Sequence, residues 1–164
     1  MTVADRIAVM DHGKVVQVAT PAEIYEQPNS RWVAEFVGDV NLIEGGIVST
    51  GADATVIAGA GGRRFRAAPM SEAKPGARVW LALRPEKVRI ATTPPAENRE
   101  NCLSGRVWDI GYLGDVSIYK VRLDDGNLMK ASVANATRLS ERPIGWDGHV
   151  WLSWTHEAGV VLAR

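Results

Sequence analysis

The chain has 164 residues, and its 19 lysines and arginines balance its 19 aspartates and glutamates, so the net charge is zero. This balance argues against a nucleic-acid-binding protein, because such a protein needs a basic surface to displace counterions. The one cysteine, Cys102, excludes an intramolecular disulfide, and no apolar run approaches the roughly 18 residues of a membrane-spanning helix. A single cysteine fits a reducing compartment, and together with the lack of a long apolar run it predicts a soluble, cytosolic protein. Glycines and prolines spread among short β-rich runs favour a mainly β fold.

The first residues predict a β-hairpin. Two short apolar runs at 6–10 and 14–18 are joined by Asp11, His12 and Gly13, which are typical of a tight turn. An isolated hairpin is at best marginally stable in water. We therefore expect this hairpin to dock on the rest of the chain or on a partner, or else to remain loose.

Residues 20–38 carry the helical signals. The sequence T-P-A-E at 20–23 is a capping box with proline at the first helical position. Pro28 ends this first helix, and Asn29 or Ser30 can cap a second one. Four apolar residues of the second helix recur at helical spacing and are expected on one face: Trp32, Val33, Phe36 and Val37.

Beyond residue 40 the pattern changes from helical to β. Apolar runs alternate with turns rich in glycine and proline, which is typical of a small barrel or sandwich. The glycine-rich turn at 59–62 lacks the lysine and the following helix of a phosphate-binding loop, so it predicts a hairpin turn. The predicted strands are residues 41–49, 54–58, 63–68, 77–83, 87–91, 105–110, 116–123, a strand beginning at 128–131, 149–154 and 160–163.

The stretch 105–126 has the most regular pattern and predicts a β-meander. Apolar and polar residues alternate over 116–123, with only the pair at 118 and 119 breaking the period of two. Gly111 and Gly114 are expected to flank a bend, and the Asp-Gly at 125–126 a tight turn. Trp80 and Trp108 have apolar neighbours in their predicted strands and are expected in the core.

Several segments resemble the C-terminal part of the ATP-binding subunits of ABC importers, in particular the polyamine, maltose/sugar and iron(III) groups. The residues that carry the resemblance are T-V-A-D-R-I-A-V-M-D-H-G-K-V-V-Q at 2–17, T-P-A-E-I-Y-E-Q-P-N-S-R-W-V-A-E-F-V-G-D-V-N at 20–41, L-R-P-E-K-V-R-I at 83–90, and G-x-V-x-D-I-x-Y-L-G-D at 105–115. The second match is the most specific, because residue identity and spacing agree over more than twenty positions.

The resemblance implies a fold and a division of the chain. Residues 1–19 would be a remnant hairpin from the end of a nucleotide-binding domain, residues 20–39 a helical linker, and residues 40–164 a TOBE domain, an OB-fold-like β-barrel. The Walker A, signature, Walker B and switch-histidine motifs are absent from this sequence. The chain is therefore expected to have no enzymatic activity and no cofactor, since ATP and magnesium would bind the missing domain of the parent ATPase.

The implied function is that of a regulatory and dimerisation domain of a polyamine-type importer subunit. The expected partners are a second copy and, in the parent, permease subunits, which would place the protein in the cytoplasm at the inner membrane. Two alternatives remain open. One is a stand-alone sensor of a polyamine, an oxyanion or a sugar. The other is a single-strand nucleic-acid-binding OB domain that uses the basic cluster Arg63, Arg64 and Arg66.

The candidate site residues fall into two polar groups. Arg84 and Glu86 flank Pro85. In one interpretation Pro85 kinks the chain between two strands, and Arg84 and Glu86 satisfy backbone groups or each other. In the other, Arg84 and Glu86 contact a second copy or a small effector. Asp109, Tyr112 and Asp115 surround the predicted bend and are candidates for ligand or dimer contact.

Two tryptophans and the histidines complete the candidates. Trp151 and Trp154 should point to opposite sides of a strand, so that one of them is expected at an interface. The three histidines, His12, His149 and His156, show no metal-like spacing, so no metal site is expected.

Overall fold

The computed structural model describes residues 4–70, 74–96, 101–136 and 144–163. Parts of the predicted loops at 92–101 and 135–148 lie outside these ranges. The twelve strands described are β1 (Ile7–Asp11), β2 (Lys14–Ala19), β3 (Asn41–Thr50), β4 (Thr55–Gly59), β5 (Arg64–Ala67), β6 (Arg78–Leu83), β7 (Arg89–Ala91), β8 (Cys102–Tyr112), β9 (Val116–Leu123), β10 (Leu128–Ala134), β11 (His149–Ser153) and β12 (Gly159–Leu162). The two α-helices are α1 (Pro21–Glu26) and α2 (Arg31–Val37).

The strands form two five-stranded antiparallel sheets and a separate hairpin. Sheet I has the order β12-β6-β3-β4-β5, and sheet II has the order β10-β9-β8-β11-β7. Each sheet curls so that its two edge strands approach each other. In sheet I, the amide of Ala68 after β5 donates to the carbonyl of Gly159 in β12. In sheet II, β10 approaches β7. The prediction of a mainly β, OB-like barrel with an N-terminal hairpin and a helical lead-in is confirmed.

One apolar core lies between the two sheets. Burial of this apolar surface is the main force that holds the sheets together. Its fully buried side chains come from both sheets: Ile57, Val79, Leu81 and Leu83 from sheet I, and Val121, Met129, Val150 and Leu152 from sheet II.

Two asparagines close the seams between the sheets. The Asn41 side chain accepts from the amide of Lys130 at 2.7 Å and donates to the carbonyl of the same residue at 2.8 Å. Asn101 does the same with Arg66, at 2.8 Å for both bonds. Each side-chain amide thus pairs with the backbone N–H and C=O of one residue on an edge strand, where unpaired backbone groups would be costly.

The hairpin and the helices form a lead-in that packs on sheet I. The hairpin turn is confirmed, with His12 and Gly13 at φ 47° and 75°. Val9, Ile24 and Val33 form a small core of the lead-in. The prediction of one buried four-residue face on α2 is wrong, because Trp32 and Phe36 stack on each other at the surface with ring centroids 5.1 Å apart.

The buried residues of α2 point in two directions instead of one. Val33 faces the hairpin, whereas Ala34 packs against Ala82 and Leu162 of sheet I. A helix squeezed between two layers buries two adjacent strips, and the small Ala34 lets it approach the sheet closely.

The meander is confirmed, but its details differ from the prediction. β8 is one continuous strand to Tyr112, so there is no bend at Gly111, and a β-bulge occurs at Trp108. The bulge turns Trp108 outward, where it is 52% exposed, so the prediction that it lies in the core is wrong. Ser117 faces the interior, and its hydroxyl donates to the side chain of Asn135 at 2.8 Å.

Two further predictions are corrected on β6 and β7. Trp80 is only partly buried, because it faces outward between buried Val79 and Leu81 and lies beside the guanidinium of Arg78. The strand predicted at 87–91 is shorter, because Pro85–Lys87 form a 3-10 turn and only Arg89–Ala91 pair with β11.

Candidate functional site

Arg84 directly follows β6 and makes four hydrogen bonds to backbone carbonyl groups. It is only 5% exposed. Its guanidinium donates to the carbonyl oxygens of Ala34, Gly38 and Asp39 at 3.0 Å each, and to that of Tyr25 at 3.1 Å. A single side chain from the barrel therefore holds four backbone groups of the lead-in.

These carbonyl groups belong to the C-terminal ends of the two helices. The last carbonyl groups of a helix have no partner within it and carry partial negative charge. Neither α1 nor α2 has a basic residue in its last turn. Arg84 supplies from the barrel the cation that both helix ends lack, and the carbonyl dipoles in turn compensate its buried charge.

Tyr25 forms the second half of this junction. The Arg84 guanidinium lies 4.1 Å from the centre of the Tyr25 ring, and the Tyr25 hydroxyl donates to Glu86 at 2.7 Å. Burial, followed by the hydrogen bond to the Glu86 carboxylate, raises the pKa of Tyr25 to about 12. Lys87 completes the junction through an ion pair with Glu26 at the end of α1.

The local sequence explains why these groups meet. Pro85 is buried and forces the extended backbone at Arg84 that precedes it. The 3-10 turn that Pro85 begins then places Glu86 and Lys87 over α1. We call the set Tyr25, Glu26, Arg84, Glu86 and Lys87 the Arg84 junction. Its contacts join the two helices of the lead-in to the barrel.

The second predicted group lies on sheet II, away from the junction. Asp109 on β8 accepts from the Lys120 ammonium on β9 at 2.8 Å, and this bond lowers the pKa of Asp109. Tyr112 is 54% exposed at the end of β8, and Asp115 is exposed in the turn that follows. The structure thus separates the candidate residues into two groups on different sheets.

The two tryptophans have different environments. Trp154 is 3% exposed and stacks on Phe65 with ring centroids 5.8 Å apart, so it belongs to the core. Trp151 faces outward and meets the edge of His149. It lines a surface cavity of about 310 Å³ together with Arg89 and the proline pair at 94–95. Of the two, Trp151 remains the candidate for an interface.

A cavity of about 240 Å³ opens between the two sheets. Its apolar lining includes Phe65, Leu123 and Met129, and charged or polar side chains at its mouth are Glu44, Arg63, Asp125 and Asn127. Among the residues described, no group of three or more histidine, cysteine or acidic side chains is placed to hold a metal ion.

The sequence profile of the TOBE domain matches residues 81–162, which is half of the chain. The chain belongs to the TOBE domain family. The match begins inside β6 and includes the Arg84 junction residues of the barrel, all of the meander and β12. The helices that Arg84 holds lie before it.

Curated relatives of this TOBE domain are ATP-binding proteins of polyamine transport. The chain is 40% identical over 163 residues to the putrescine transport ATP-binding protein PotG of Escherichia coli, covering 99% of this chain and 43% of that protein. It is 35% and 36% identical to the spermidine/putrescine import ATP-binding proteins PotA of Thermotoga maritima and Chromobacterium violaceum, covering 99% and 100% of this chain and 45% of each relative. The aligned part is the C-terminal part of these relatives.

A solved structure shares the fold of this TOBE domain. The cytoplasmic molybdate-binding protein ModG superposes with a TM-score of 0.67 over 84% of this chain and 99% of that one, at 15% identity. The likeness therefore supports the fold alone. No helix among the described residues is long and apolar enough to cross a membrane.

Sequence reasoning missed three features of this TOBE domain. It did not find the two seam asparagines. Their only signal in the sequence is a polar residue at, or just before, the first residue of a strand. It missed the cavity between the sheets, because the residues that line it come from four separate segments of the chain. It did not foresee that Arg84 serves both helices, although the lack of a basic residue in the last turns of α1 and α2 was visible in the sequence.

Proposed function

We propose that this TOBE domain is the regulatory and dimerisation domain of an ABC importer ATP-binding subunit of the polyamine type. The observation that carries the proposal is the alignment of nearly the whole chain with the same part of three polyamine-transport ATP-binding proteins. The domain itself does not hydrolyse ATP. In the parent subunit, ATP and magnesium bind the other domain, and the subunit works in the cytoplasm on permease subunits of the inner membrane.

The Arg84 junction supports a regulatory role through rigidity. A domain can influence another one only if movement at its surface changes the orientation of the connecting segment. Arg84 joins both helix ends to the barrel, and the Tyr25–Glu86 and Lys87–Glu26 pairs add contacts beside it. The lead-in and the barrel consequently move as one body, and a change in barrel pairing is transmitted through the helices.

Uptake by a chimera tests this role. The chain replaces the aligned part of the Escherichia coli putrescine transport protein in cells that lack it, and radiolabelled putrescine uptake is measured. We expect uptake well above that of the truncated relative, retained by a chimera with the surface change Arg78→Ala and reduced by Arg84→Ala. A chimera that is stable and abundant but restores no uptake contradicts the proposal. ATP turnover by the purified chain, abolished by a substitution within it, contradicts the non-enzymatic part.

The cavity between the sheets favours a second candidate function, that of a small-ligand sensor. Carboxylates at its mouth and an apolar floor suit an aliphatic amine, whereas Arg63 suits an anion. Titration calorimetry against polyamines, oxyanions and sugars distinguishes these ligands. The sensor function is supported if an amine binds and its affinity is weakened by Asp125→Asn but unchanged by Asp147→Asn. It is contradicted if none of the ligands binds.

A further inference from the structure

The cavity between the two sheets is lined by opposite charges that come from different sheets. Arg63 directly precedes β5 of sheet I, whereas Asp125 and Asn127 lie in the turn between β9 and β10 of sheet II. All three residues line the cavity. No ion pair joins Arg63 to Asp125 in the part of the chain that the structure describes, so the two charges stand apart across the cavity.

Neither of these two charges is neutralised by another side chain. Among the described residues, the Arg63 guanidinium has no hydrogen-bond or ion-pair partner. The Asp125 carboxylate accepts only from the backbone amide of Asn127 in its own turn, at 3.0 Å. Glu44, the other carboxylate of the lining, is by contrast paired with the Arg78 guanidinium at 2.6 Å. Arg63 and Asp125 are therefore the cation and the anion that the cavity offers to a ligand.

Much of the remaining lining is apolar. Phe65 of sheet I and Leu123 and Met129 of sheet II line the cavity and are 4%, 8% and 2% exposed. An aliphatic stem gains free energy when it leaves water for such a surface. The volume of about 240 Å³ lies below the range of roughly 300–1,000 Å³ that is typical of sites for drug-sized ligands, so the ligand that fits is small.

Two charges of opposite sign select against ligands that carry charges of one sign. A diamine would bring one ammonium group towards Arg63, and a dicarboxylate would bring one carboxylate towards Asp125; either approach of like charges weakens binding. A ligand with a carboxylate at one end and an ammonium group at the other pairs both charges. Because Arg63 and Asp125 belong to different sheets and do not pair with each other, an aliphatic stem must separate the two ends of that ligand.

We infer that the cavity between the sheets binds a small aliphatic ω-amino acid, with the ligand's carboxylate on Arg63, its ammonium group on Asp125 and its stem on the apolar lining. The inference rests on the cavity being a ligand site, as the second proposed function requires. It names a ligand class outside the polyamines, oxyanions and sugars by which that function is tested.

Titration calorimetry of the chain with four ligands of equal stem length tests the inference. The probe is δ-aminovalerate, and the comparison ligands are pentylamine, valerate and the diamine cadaverine. We expect δ-aminovalerate to bind at least about tenfold more tightly than each of the other three, because it alone pairs both charges of the cavity.

Two variants and two matched controls locate the bound ligand. Arg63→Gln should reduce the affinity for δ-aminovalerate to that for pentylamine, and Asp125→Asn should reduce it to that for valerate. Asparagine can still accept the hydrogen bond from the Asn127 amide, so the turn is preserved. Arg64→Gln, at the exposed neighbour of Arg63, and Asp147→Asn should leave the affinity unchanged. Circular dichroism verifies that every variant is folded.

The outcomes separate this inference from the proposed functions. If cadaverine or pentylamine binds as tightly as δ-aminovalerate, the cavity selects amines, and the inference is overturned while the sensor function stands. If δ-aminovalerate binds but Arg63→Gln and Asp125→Asn leave its affinity unchanged, it binds elsewhere, and the inference is overturned. If none of the four ligands binds, the inference fails, whereas the importer role is decided independently by uptake in the chimera.

Discussion

Replacing Arg84 by alanine is the most direct perturbation of the junction between the lead-in and the barrel. The substitution removes all four hydrogen bonds that two guanidinium nitrogens donate to the carbonyl groups of Tyr25, Ala34, Gly38 and Asp39. It also removes the cation over the Tyr25 ring. The truncated side chain leaves a gap beside the C-terminal ends of both helices.

The magnitude follows from the burial of the orphaned groups. The bond to Ala34 is buried, and the other three are partly buried, so water can reach some of those carbonyls after truncation. A buried acceptor without a partner costs about 1–3 kcal/mol, and a partly wetted one costs less. Because the four bonds are not additive, we expect Arg84→Ala to lower the free energy of unfolding by about 3–5 kcal/mol.

Urea denaturation and hydrogen exchange measure this loss of stability. The free energy of unfolding should fall in Arg84→Ala, and the amides of α1 and α2 should exchange faster than those of β9. Arg84→Lys keeps a charge but not the planar fork of donors, so it should recover only part of the loss. Arg78→Ala, at an exposed ion pair, should cost less than about 1 kcal/mol. If Arg84→Ala costs no more than Arg78→Ala, the carbonyl contacts do not hold the lead-in.

Three further changes test other parts of the structure. Gly105→Ala should lower the free energy of unfolding by about 2–3 kcal/mol, because the added Cβ would clash with the carbonyl oxygen of Arg122 on β9. Gly111→Ala on the same strand should be near neutral, because its Cβ would meet its nearest atom at 3.9 Å. Equal melting temperatures for the two variants would contradict this. Asn101→Ala should cost about 1–3 kcal/mol and speed exchange of the Arg66 amide, and an unchanged exchange rate would show that the seam closes without it. The pKa of Tyr25 is raised from 10.0 to about 12, so its contribution to stability is complete below pH 10 and is lost as pH rises through 12. Tyr25→Phe should therefore show a smaller loss of stability over this pH range in urea titrations, and an identical loss would contradict the shift.

The sequence predicted the meander well, because its alternation and its turn are local signals. The Asp-Gly turn before β10 and the capping box at Thr20 both appear as expected, and Gly126 has the positive φ that such a turn requires. Local patterns identify these elements because the residues that stabilise them are neighbours in the chain.

Features that depend on distant residues could not be predicted in this way. The bulge that turns Trp108 outward is a property of the β8–β9 pairing, and an apolar neighbourhood in sequence gave the opposite expectation. Helix α2 lies between the hairpin and sheet I, so its buried strips depend on two surfaces that the helix sequence does not specify. The role of Arg84 likewise depends on helix ends at least 45 residues earlier in the chain.

The most direct test of the account is the mass of the wild-type chain in solution. Multi-angle light scattering after size-exclusion chromatography, at tens of micromolar protein, should give twice the 17.8 kDa of a single chain. The apparent mass should fall towards that of one chain on dilution, because the dimer is in equilibrium with its monomer. A mass of 17.8 kDa at every concentration would contradict the account of this TOBE domain as a dimerisation module.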